Sequence, residues 1–319
     1  MPLGVKDKNM ITRNYKDFST LLRSRGYTSN INKSQYDFLT DRGYSGQLME
    51  MWSEYLSDEG YEGTLAEKSA QFIGFIKGLG FLFVGGEEGV WYDPSDMSTL
   101  FQDSAGTTPV TSNGDPVGLI LDKSGNGNNA IQAISNGYRP TYQDGELVFD
   151  GVDDYLYTAS IDMSSSDNMF VGLGLTKSAT ASGTQVIVEL SPSVNTEDGS
   201  FHLRDNGAAS DQFRSRGTVL AASGGGRIAL DTPAITTVNS DISDVNITRW
   251  VNGSEVANVS NNQGTGNYGD WPLYLGSRAG TEQYYEGSLS QVIVRNSKSS
   301  TLERTSTESY LASKTGVTL

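Results

Sequence analysis

Residues 250–257, with the sequence Trp-Val-Asn-Gly-Ser-Glu-Val-Ala, decide the fold class of the larger part of this chain. The pair Asn252-Gly253 lies between the short runs Trp250-Val251 and Glu255-Val256. Asn and Gly both tolerate the positive φ angles of a two-residue turn. The stretch therefore predicts a β-hairpin.

Short apolar or alternating runs surround this hairpin from Gly85 onwards, separated by clusters of Gly, Asn, Asp and Ser. Many short strands with regular turn signals indicate an antiparallel sandwich or barrel. The expected strands are residues 147–149, 155–158, 169–175, 185–190, 235–238, 247–251, 273–276 and 291–294. Residues 302–314 predict a surface helix with Leu302, Tyr310 and Leu311 facing inward, ended by Gly316.

The first 84 residues contain a repeat of 17 residues. Its landmarks are the turn pairs Gly26-Tyr27, Gly43-Tyr44 and Gly60-Tyr61 and the apolar pairs Phe38-Leu39, Tyr55-Leu56 and Phe72-Ile73. Each unit predicts a turn followed by a short amphipathic helix. One such helix is too short to be stable alone, so the units are expected to stack on one another or on a partner. Residues 1–84 are thus predicted to form a helical anchoring and oligomerisation module, and residues 85–319 a β-sandwich.

Acidic residues are concentrated in the second part of the chain. The net charge is −15. Residues 1–84 hold ten basic and ten acidic side chains, whereas residues 85–319 hold thirteen basic and twenty-eight acidic ones. Such a surface repels phosphate backbones, so nucleic acid is not an expected partner. Residues 1–10 lack the apolar segment of a signal peptide, and no apolar run reaches the length of a membrane span, so no membrane insertion is expected.

Four segments together resemble the concanavalin A-like, laminin-G-like jelly-roll domains over about residues 115–316. They are residues 147–156, the hairpin at 250–257, the pair 273–276 and 285–289, and the strand 292–294 with the helix ending at 310–312. The resemblance implies a mainly β fold: a jelly-roll β-sandwich, here preceded by the small α-helical repeat module.

A second resemblance concerns the lead-in, residues 90–103, 122–127 and 139–140, together with the Gly-Tyr-x-Gly repeats in 41–74. These segments are similar to those of bacteriophage and prophage virion proteins. The resemblance implies a structural component of a virion, such as a head or tail decoration or fibre. It is expected to contact other virion proteins through residues 1–84 and to form a homo-oligomer, with a trimer favoured. Host surface polysaccharide is the second expected partner.

The sequence carries no recognisable catalytic motif. His202 is the only histidine, and in 200–204 it alternates with apolar residues as a strand residue does. The alternating carboxylates that some glucan-hydrolysing relatives of this fold carry on one strand are absent, with Glu189 alone near the end of its strand. The chain is therefore predicted not to be an enzyme and to have no catalytic residues. A free-standing carbohydrate-binding module and a glycoside hydrolase are the alternative functions.

Asp150, Asp153 and Asp154 form an oxygen-rich cluster with two interpretations. They form a tight turn in which carboxylates cap backbone amides, or they bind Ca²⁺, the only cofactor considered.

Aromatic side chains in two loop-like segments are the candidate glycan-binding residues. Sugars present apolar C–H faces that stack on exposed rings, and a guanidinium supplies hydrogen bonds. The candidates are Tyr268, Trp271, Arg278, Tyr284 and Tyr285. Core packing is the alternative for each ring.

Overall fold

The structure is a computed structural model that describes residues 22–23, 31–45, 48–58, 78–207 and 210–319. The chain separates into two compact units, Met1–Val84 and Gly85–Leu319. The boundary falls where the hydrophobic period of the sequence changes. Within the described ranges, no helix is both long enough and apolar enough to cross a membrane.

Two short helices form the described centre of the first unit. Helix α1 covers Ile31–Thr40 and helix α2 covers Leu48–Asp58, and a 3-10 turn follows at Gly80–Leu82. Between α1 and α2, Gly43 has a φ of +88°, which a side chain with a Cβ rarely adopts. The predicted turn and helix are therefore present in this copy of the repeat. The turn pairs at 26–27 and 60–61 and the apolar pair at 72–73 lie outside the described residues.

Aromatic packing joins the two helices. The ring of Phe38 lies 6.0 Å from that of Trp52 and 5.6 Å from that of Tyr55, and all three side chains are buried. The Trp52 indole N–H donates to the Gln35 side chain. Each helix is too short to be stable alone, so this contact contributes to the stability of the pair.

The second unit consists of seventeen strands and one long helix. The strands are β1 Gly89–Tyr92, β2 Leu100–Phe101, β3 Leu119–Ile120, β4 Ala130–Ile131, β5 Thr141–Gln143, β6 Glu146–Asp150, β7 Leu156–Asp162, β8 Asn168–Lys177, β9 Gln185–Leu190, β10 Ser200–Asp205, β11 Asp211–Arg216, β12 Leu220–Ala222, β13 Ala234–Asp241, β14 Asn246–Val251, β15 Ser254–Val259, β16 Asp270–Leu275 and β17 Glu286–Arg295. Helix α3 covers Thr301–Thr315, and short 3-10 turns occupy Met97–Thr99 and Asn136–Tyr138.

The strands form two antiparallel sheets. Sheet A has the order β15-β14-β13-β8-β17-β6-β5, with β1 also paired to β17, and sheet B has the order β12-β11-β10-β9-β16-β7-β4-β3-β2. Alternate residues of both sheets meet in one apolar core that includes Phe149, Leu173, Phe201 and Phe213. The fold is thus mainly β, an antiparallel sandwich of the jelly-roll class that the sequence predicted.

The β-hairpin predicted at residues 250–257 is present. Asn252 and Gly253 join β14 to β15 with φ angles of +48° and +76°, the pattern of a type I′ turn. The Asn252 side chain also accepts a hydrogen bond from the Ile235 backbone N–H of β13. One asparagine therefore fixes both the turn and the neighbouring strand.

The predicted C-terminal helix is present as α3, with one error in its buried face. Ser300 and Glu303 form a capping box at its start, and Gly316, with a φ of +75°, ends it. Leu311 is fully buried, but Leu302 is 38% exposed and does not face inward. Leu302 lies in the first turn of the helix, where Glu303 is buried instead and pairs with Arg295 of β17 at 3.1 Å.

A buried ion network connects the two sheets. Lys177, at the end of β8 in sheet A, lies 3.0 Å from Asp205 and 2.6 Å from Asp211, which face each other on β10 and β11 of sheet B. Arg249 of β14 donates to the Asp211 backbone carbonyl at 2.9 Å. All four side chains are at most 5% exposed. Two carboxylates that face each other across a strand pair repel, and the two cations from sheet A offset that repulsion.

Replacing Lys177 with Met should destabilise the second unit by about 3–5 kcal/mol, because it leaves two buried carboxylates without their cation. Urea denaturation followed by far-ultraviolet circular dichroism measures the loss. Lys298→Met is the control, since Lys298 is 40% exposed and its contact with Asp241 is longer, at 3.4 Å, while Asp241 keeps hydrogen bonds from Ser243 and the Asp244 N–H; it should cost less than about 1 kcal/mol. Equal effects of the two substitutions would contradict this role for Lys177.

Candidate functional site

Two of the predicted glycan-binding tyrosines belong to the core. Tyr268 is 1% exposed, and its hydroxyl hydrogen-bonds with Ser215 and Ser240 between the sheets. Tyr285 is fully buried, and its hydroxyl donates to the Thr176 carbonyl. The prediction for these two residues is wrong, because their loop-like surroundings in the sequence did not reveal that both rings turn inward.

The other three candidates lie at different places on sheet B and its loops. Trp271 is half-buried on β16, packs against the core edge and donates its indole N–H to the Asp198 carbonyl at 3.0 Å. Tyr284 is half-buried, with its hydroxyl donating to the Gly280 carbonyl. Arg278 is 5% exposed and joins a charged cluster on the outer face of sheet B.

That outer face follows from the alternation of β10 and β11. Phe201 and Leu203 point into the core, so His202 and Arg204 point to the opposite side of sheet B. Because Phe213 of β11 also points into the core, Arg214 lies on the same side as His202. Antiparallel pairing then places Arg214 directly opposite His202.

Strand pairing extends the Arg214–His202 pair into a row of five residues, one on each of five neighbouring strands of sheet B. In order across the sheet, the residues of this row are Arg214, His202, Glu189, Tyr274 and Tyr157. Directly opposite residues on one face of a sheet have Cβ atoms about 4.5–5.5 Å apart. Two charged groups, an imidazole and two phenol rings therefore form a continuous strip. We call this row, together with the adjacent Arg204 and Tyr155, the β9–β11 strip.

Glu189, His202 and Arg278 make the buried centre of the strip. The Arg278 Nε donates to Glu189 Oε2 at 3.1 Å, and Arg278 Nη2 lies 3.1 Å from His202 Nδ1. Because a guanidinium can only donate, His202 Nδ1 accepts and its proton is on Nε2. Burial is the main cause that lowers the pKa of His202 to about 4, so the imidazole is neutral.

Gly276 allows the loop that carries Arg278 to begin directly after β16. Its φ is +84°, and a Cβ at this position would lie 2.4 Å from the Phe149 ring. Another residue here would strain the backbone and force the loop or the Phe149 ring to shift.

Arg204 and Arg214 lie beside this centre without a carboxylate partner. Of the described acidic side chains, none comes within 4.0 Å of either guanidinium. Arg204 donates to Gln212 at 2.7 Å, and Arg214 makes a long contact of 3.5 Å with Asn195. Burial, and then the charge of neighbouring arginines, lowers the pKa of both. The Nε atoms of both residues and His202 Nε2 are buried without a hydrogen-bond partner.

Three tyrosines continue the strip beyond Glu189. The Tyr157 and Tyr274 rings are stacked, with centroids 6.2 Å apart and planes 25° apart, and Tyr155 lies 6.0 Å from Tyr157. Tyr157 and Tyr274 are half-buried. Burial, followed by the neighbouring Tyr155, raises the pKa of the Tyr274 hydroxyl, so the Tyr274 phenol stays neutral at ordinary pH.

Sequence reasoning missed most of the strip although the signal was present. His202 and Arg204 alternate with apolar residues in Ser200–Asp205, and Arg214 does so in Asp211–Arg216. Alternation predicts that each group faces away from the core. The pairing of β9, β10, β11 and β16, which brings them together, is not encoded in any one segment.

Asp150, Asp153 and Asp154 do lie together, with one carboxylate oxygen from each within 4.8 Å of the others. Asp154 accepts from the Asp150 backbone N–H, and Asp150 accepts from the Val152 and Asp153 N–H groups. These bonds are those of a capped turn, and the calcium interpretation stays a prediction. Burial, and then the negative charge of Asp150, raises the pKa of Asp154 to about 7.

Asp154 should make the second unit less stable as the pH rises. Its folded pKa of about 7 lies above the ordinary value of 3.8, so the protonated fold is favoured and stability falls between about pH 4 and pH 7. Asp154→Asn should equal the native chain at pH 4 and exceed it by about 1–2 kcal/mol at pH 8, after allowance for solvent screening. Thermal unfolding at both pH values measures this. Equal pH profiles for the two proteins would contradict it, and a rise in the native Tm at pH 8 on adding Ca²⁺ would support the calcium interpretation.

No protein-family model and no curated protein matches this sequence. Some solved structures are similar to part of this chain. A Trypanosoma rangeli sialidase structure is 11% identical with a TM-score of 0.49, and covers 73% of this chain and 33% of its own. A NanB sialidase from Streptococcus pneumoniae is 19% identical with a TM-score of 0.37, covering 50% of this chain and 27% of its own. This chain thus spans about a third of the sialidases that it matches.

The prediction that the chain is not an enzyme is wrong as a conclusion from missing motifs, because these structural neighbours are sialidases. Glu189 and His202 are far apart in the sequence, but β9 and β10 place them side by side. Similarity at this level of identity concerns the fold and assigns no reaction to this chain.

Proposed function

We propose that the chain binds saccharides on the β9–β11 strip and serves as a lectin-like component of a bacteriophage particle. The observation that supports binding is the composition of the strip. The outer face of a sandwich sheet is usually polar. Here tyrosine rings lie on that face, beside guanidinium groups that have no carboxylate partner.

Saccharides match both halves of the strip. Their C–H faces stack on phenol rings such as Tyr157 and Tyr274, and their hydroxyls accept hydrogen bonds from guanidinium groups such as Arg204 and Arg214. Because such stacking displaces little water and competes with well-hydrated hydroxyls, the affinity of a single site should be on the order of 0.1–1 mM. Useful adhesion then requires several copies acting together.

The virion role rests on the resemblance of the lead-in and of the Gly-Tyr repeats to phage proteins. The helical unit is the proposed attachment to other virion proteins, and the sandwich is proposed to project toward the surface polysaccharide of the host. The copy number and position of the chain in a particle reconstruction would test this role.

Removing the rings of the strip should abolish saccharide binding. Tyr157→Ala with Tyr274→Ala should weaken binding on a glycan array at least about tenfold, since ring stacking contributes roughly 1 kcal/mol or more per ring. Tyr157→Phe with Tyr274→Phe is the matched control, because it keeps the rings and removes only the hydroxyls, and should stay within about threefold.

Two results would contradict this assignment. Unchanged binding by the double alanine variant would place the site elsewhere, and loss of binding only in Trp271→Ala would place it at the other end of β16. Release of reducing sugar should be measured in the same incubations, with Glu189→Gln as the comparison, because hydrolysis is a separate property from binding.

The helical unit should hold the homo-oligomer together, with a trimer favoured. The 17-residue repeat predicts helices too short to be stable alone, so the units are expected to stack on one another or on a partner. Residues 85–319 alone should be monomeric by light scattering, while the full chain is oligomeric. An oligomer of unchanged size after removal of residues 1–84 would place the interface on the sandwich.

A further inference from the structure

We infer that the saccharide bound by the β9–β11 strip is acidic, with its carboxylate placed against Arg204 and Arg214. The inference rests on the proposed saccharide-binding function and names the class of sugar that the site takes.

The charge of the strip is the first reason. Glu189 is occupied by Arg278, and Glu282, which lies 3.6 Å from the same guanidinium, is exposed. Arg204 and Arg214 are left with no described carboxylate nearby, in a chain whose net charge is −15. Excess acidic side chains are thus plentiful on this protein, yet none is placed on these two arginines.

Unused donors are the second reason. A guanidinium has five N–H donors, and Arg204 and Arg214 each make one side-chain hydrogen bond in the described structure. The Nε groups of both arginines lack acceptors, as does His202 Nε2 in a side chain that is fully buried. Those buried Nε atoms are out of reach of a ligand, but both arginines are only half-buried. Arg204 Nη1 and Arg214 Nη2 make no hydrogen bond within the described structure and are not among its buried atoms, so they remain available to an acceptor from outside the chain.

The geometry of the two arginines fits a carboxylate. Arg214 lies directly opposite His202 across the β10–β11 pair, and Arg204 lies two residues from His202 on the same face. The two guanidinium groups are thus neighbours on one face of sheet B. Arginines bind carboxylates through two parallel N–H···O bonds. The tyrosine rings then lie beside the acid group, where the sugar ring that bears it would stack.

A paired glycan array tests this with the full native chain. Each carboxylated saccharide is printed beside its methyl ester, which keeps the ring and removes the charge, and each sulfated saccharide beside its unsubstituted parent. At least one acid should bind at least about tenfold more strongly than its ester, and added salt should weaken the acid more than the ester. Esters that bind as strongly as their acids, or binding confined to sulfated sugars, would overturn the inference.

Variants locate the recognition. Arg204→Gln and Arg214→Gln should each weaken binding of the acid by roughly 10–100-fold, the effect of losing a charge-assisted hydrogen bond, without changing binding of the ester. Arg216→Gln is the matched control on the same strand, because its charge is already paired with Asp198 at 2.8 Å, and should stay within about threefold. Equal effects of all three would assign the loss to net charge and overturn the site.

The outcomes separate this inference from the proposed function. Neutral saccharides that bind natively and are lost with the Tyr157 and Tyr274 alanine changes would keep saccharide binding and overturn the acid. Binding of no saccharide would overturn both. If the arginine variants unfold, the acid and ester comparison on the native chain decides the question alone.

Discussion

The two sheets are held in one register by the buried ion network of Lys177, Asp205, Asp211 and Arg249. Two cations from sheet A and two carboxylates from sheet B balance in charge within the interior. A buried pair contributes little net free energy compared with apolar residues, but losing one member is costly. The network therefore selects the observed register of β10 and β11. A slip of one strand against the other would separate Asp205 from Asp211 and leave Lys177 with one partner.

That register also determines what sheet B presents on its outer side. Asp205 and Asp211 point inward, so alternation sends Arg204 and Gln212 outward, and His202 and Arg214 with them. A shift of one residue would exchange the two faces and bury the arginines in the apolar core. The inner carboxylates and the outer guanidiniums are thus two consequences of one strand pairing.

The sequence predicted the fold better than the site. Turn chemistry at Asn252-Gly253 and the cap at Gly316 depend on local residues, and both were confirmed. Burial of a single aromatic depends on distant strands: Tyr268 and Tyr285 looked like loop residues but close the core, whereas Tyr157 and Tyr274 lie on the outer face. Alternation indicates which side of its own strand a residue occupies, but it does not indicate which strands are neighbours. The row from Arg214 to Tyr157 brings together residues that are far apart in the sequence. Tyr157 of β7 and its partner Tyr274 of β16, for example, are 117 positions apart.

The electrostatics of the chain explain why an unpaired cationic strip is compatible with a stable fold. An excess of acidic side chains over the whole surface lowers the cost of concentrating positive charge at one place, because distant carboxylates partly offset the repulsion among Arg204, Arg214 and Arg278. Close carboxylates would offset it further, but they would also occupy the donors. Placing Glu189 on Arg278 alone fixes the loop and the tautomer of His202, while the two outer arginines keep their hydrogen-bonding capacity. These two arginines are therefore the part of the strip on which the proposed recognition of an acidic saccharide depends.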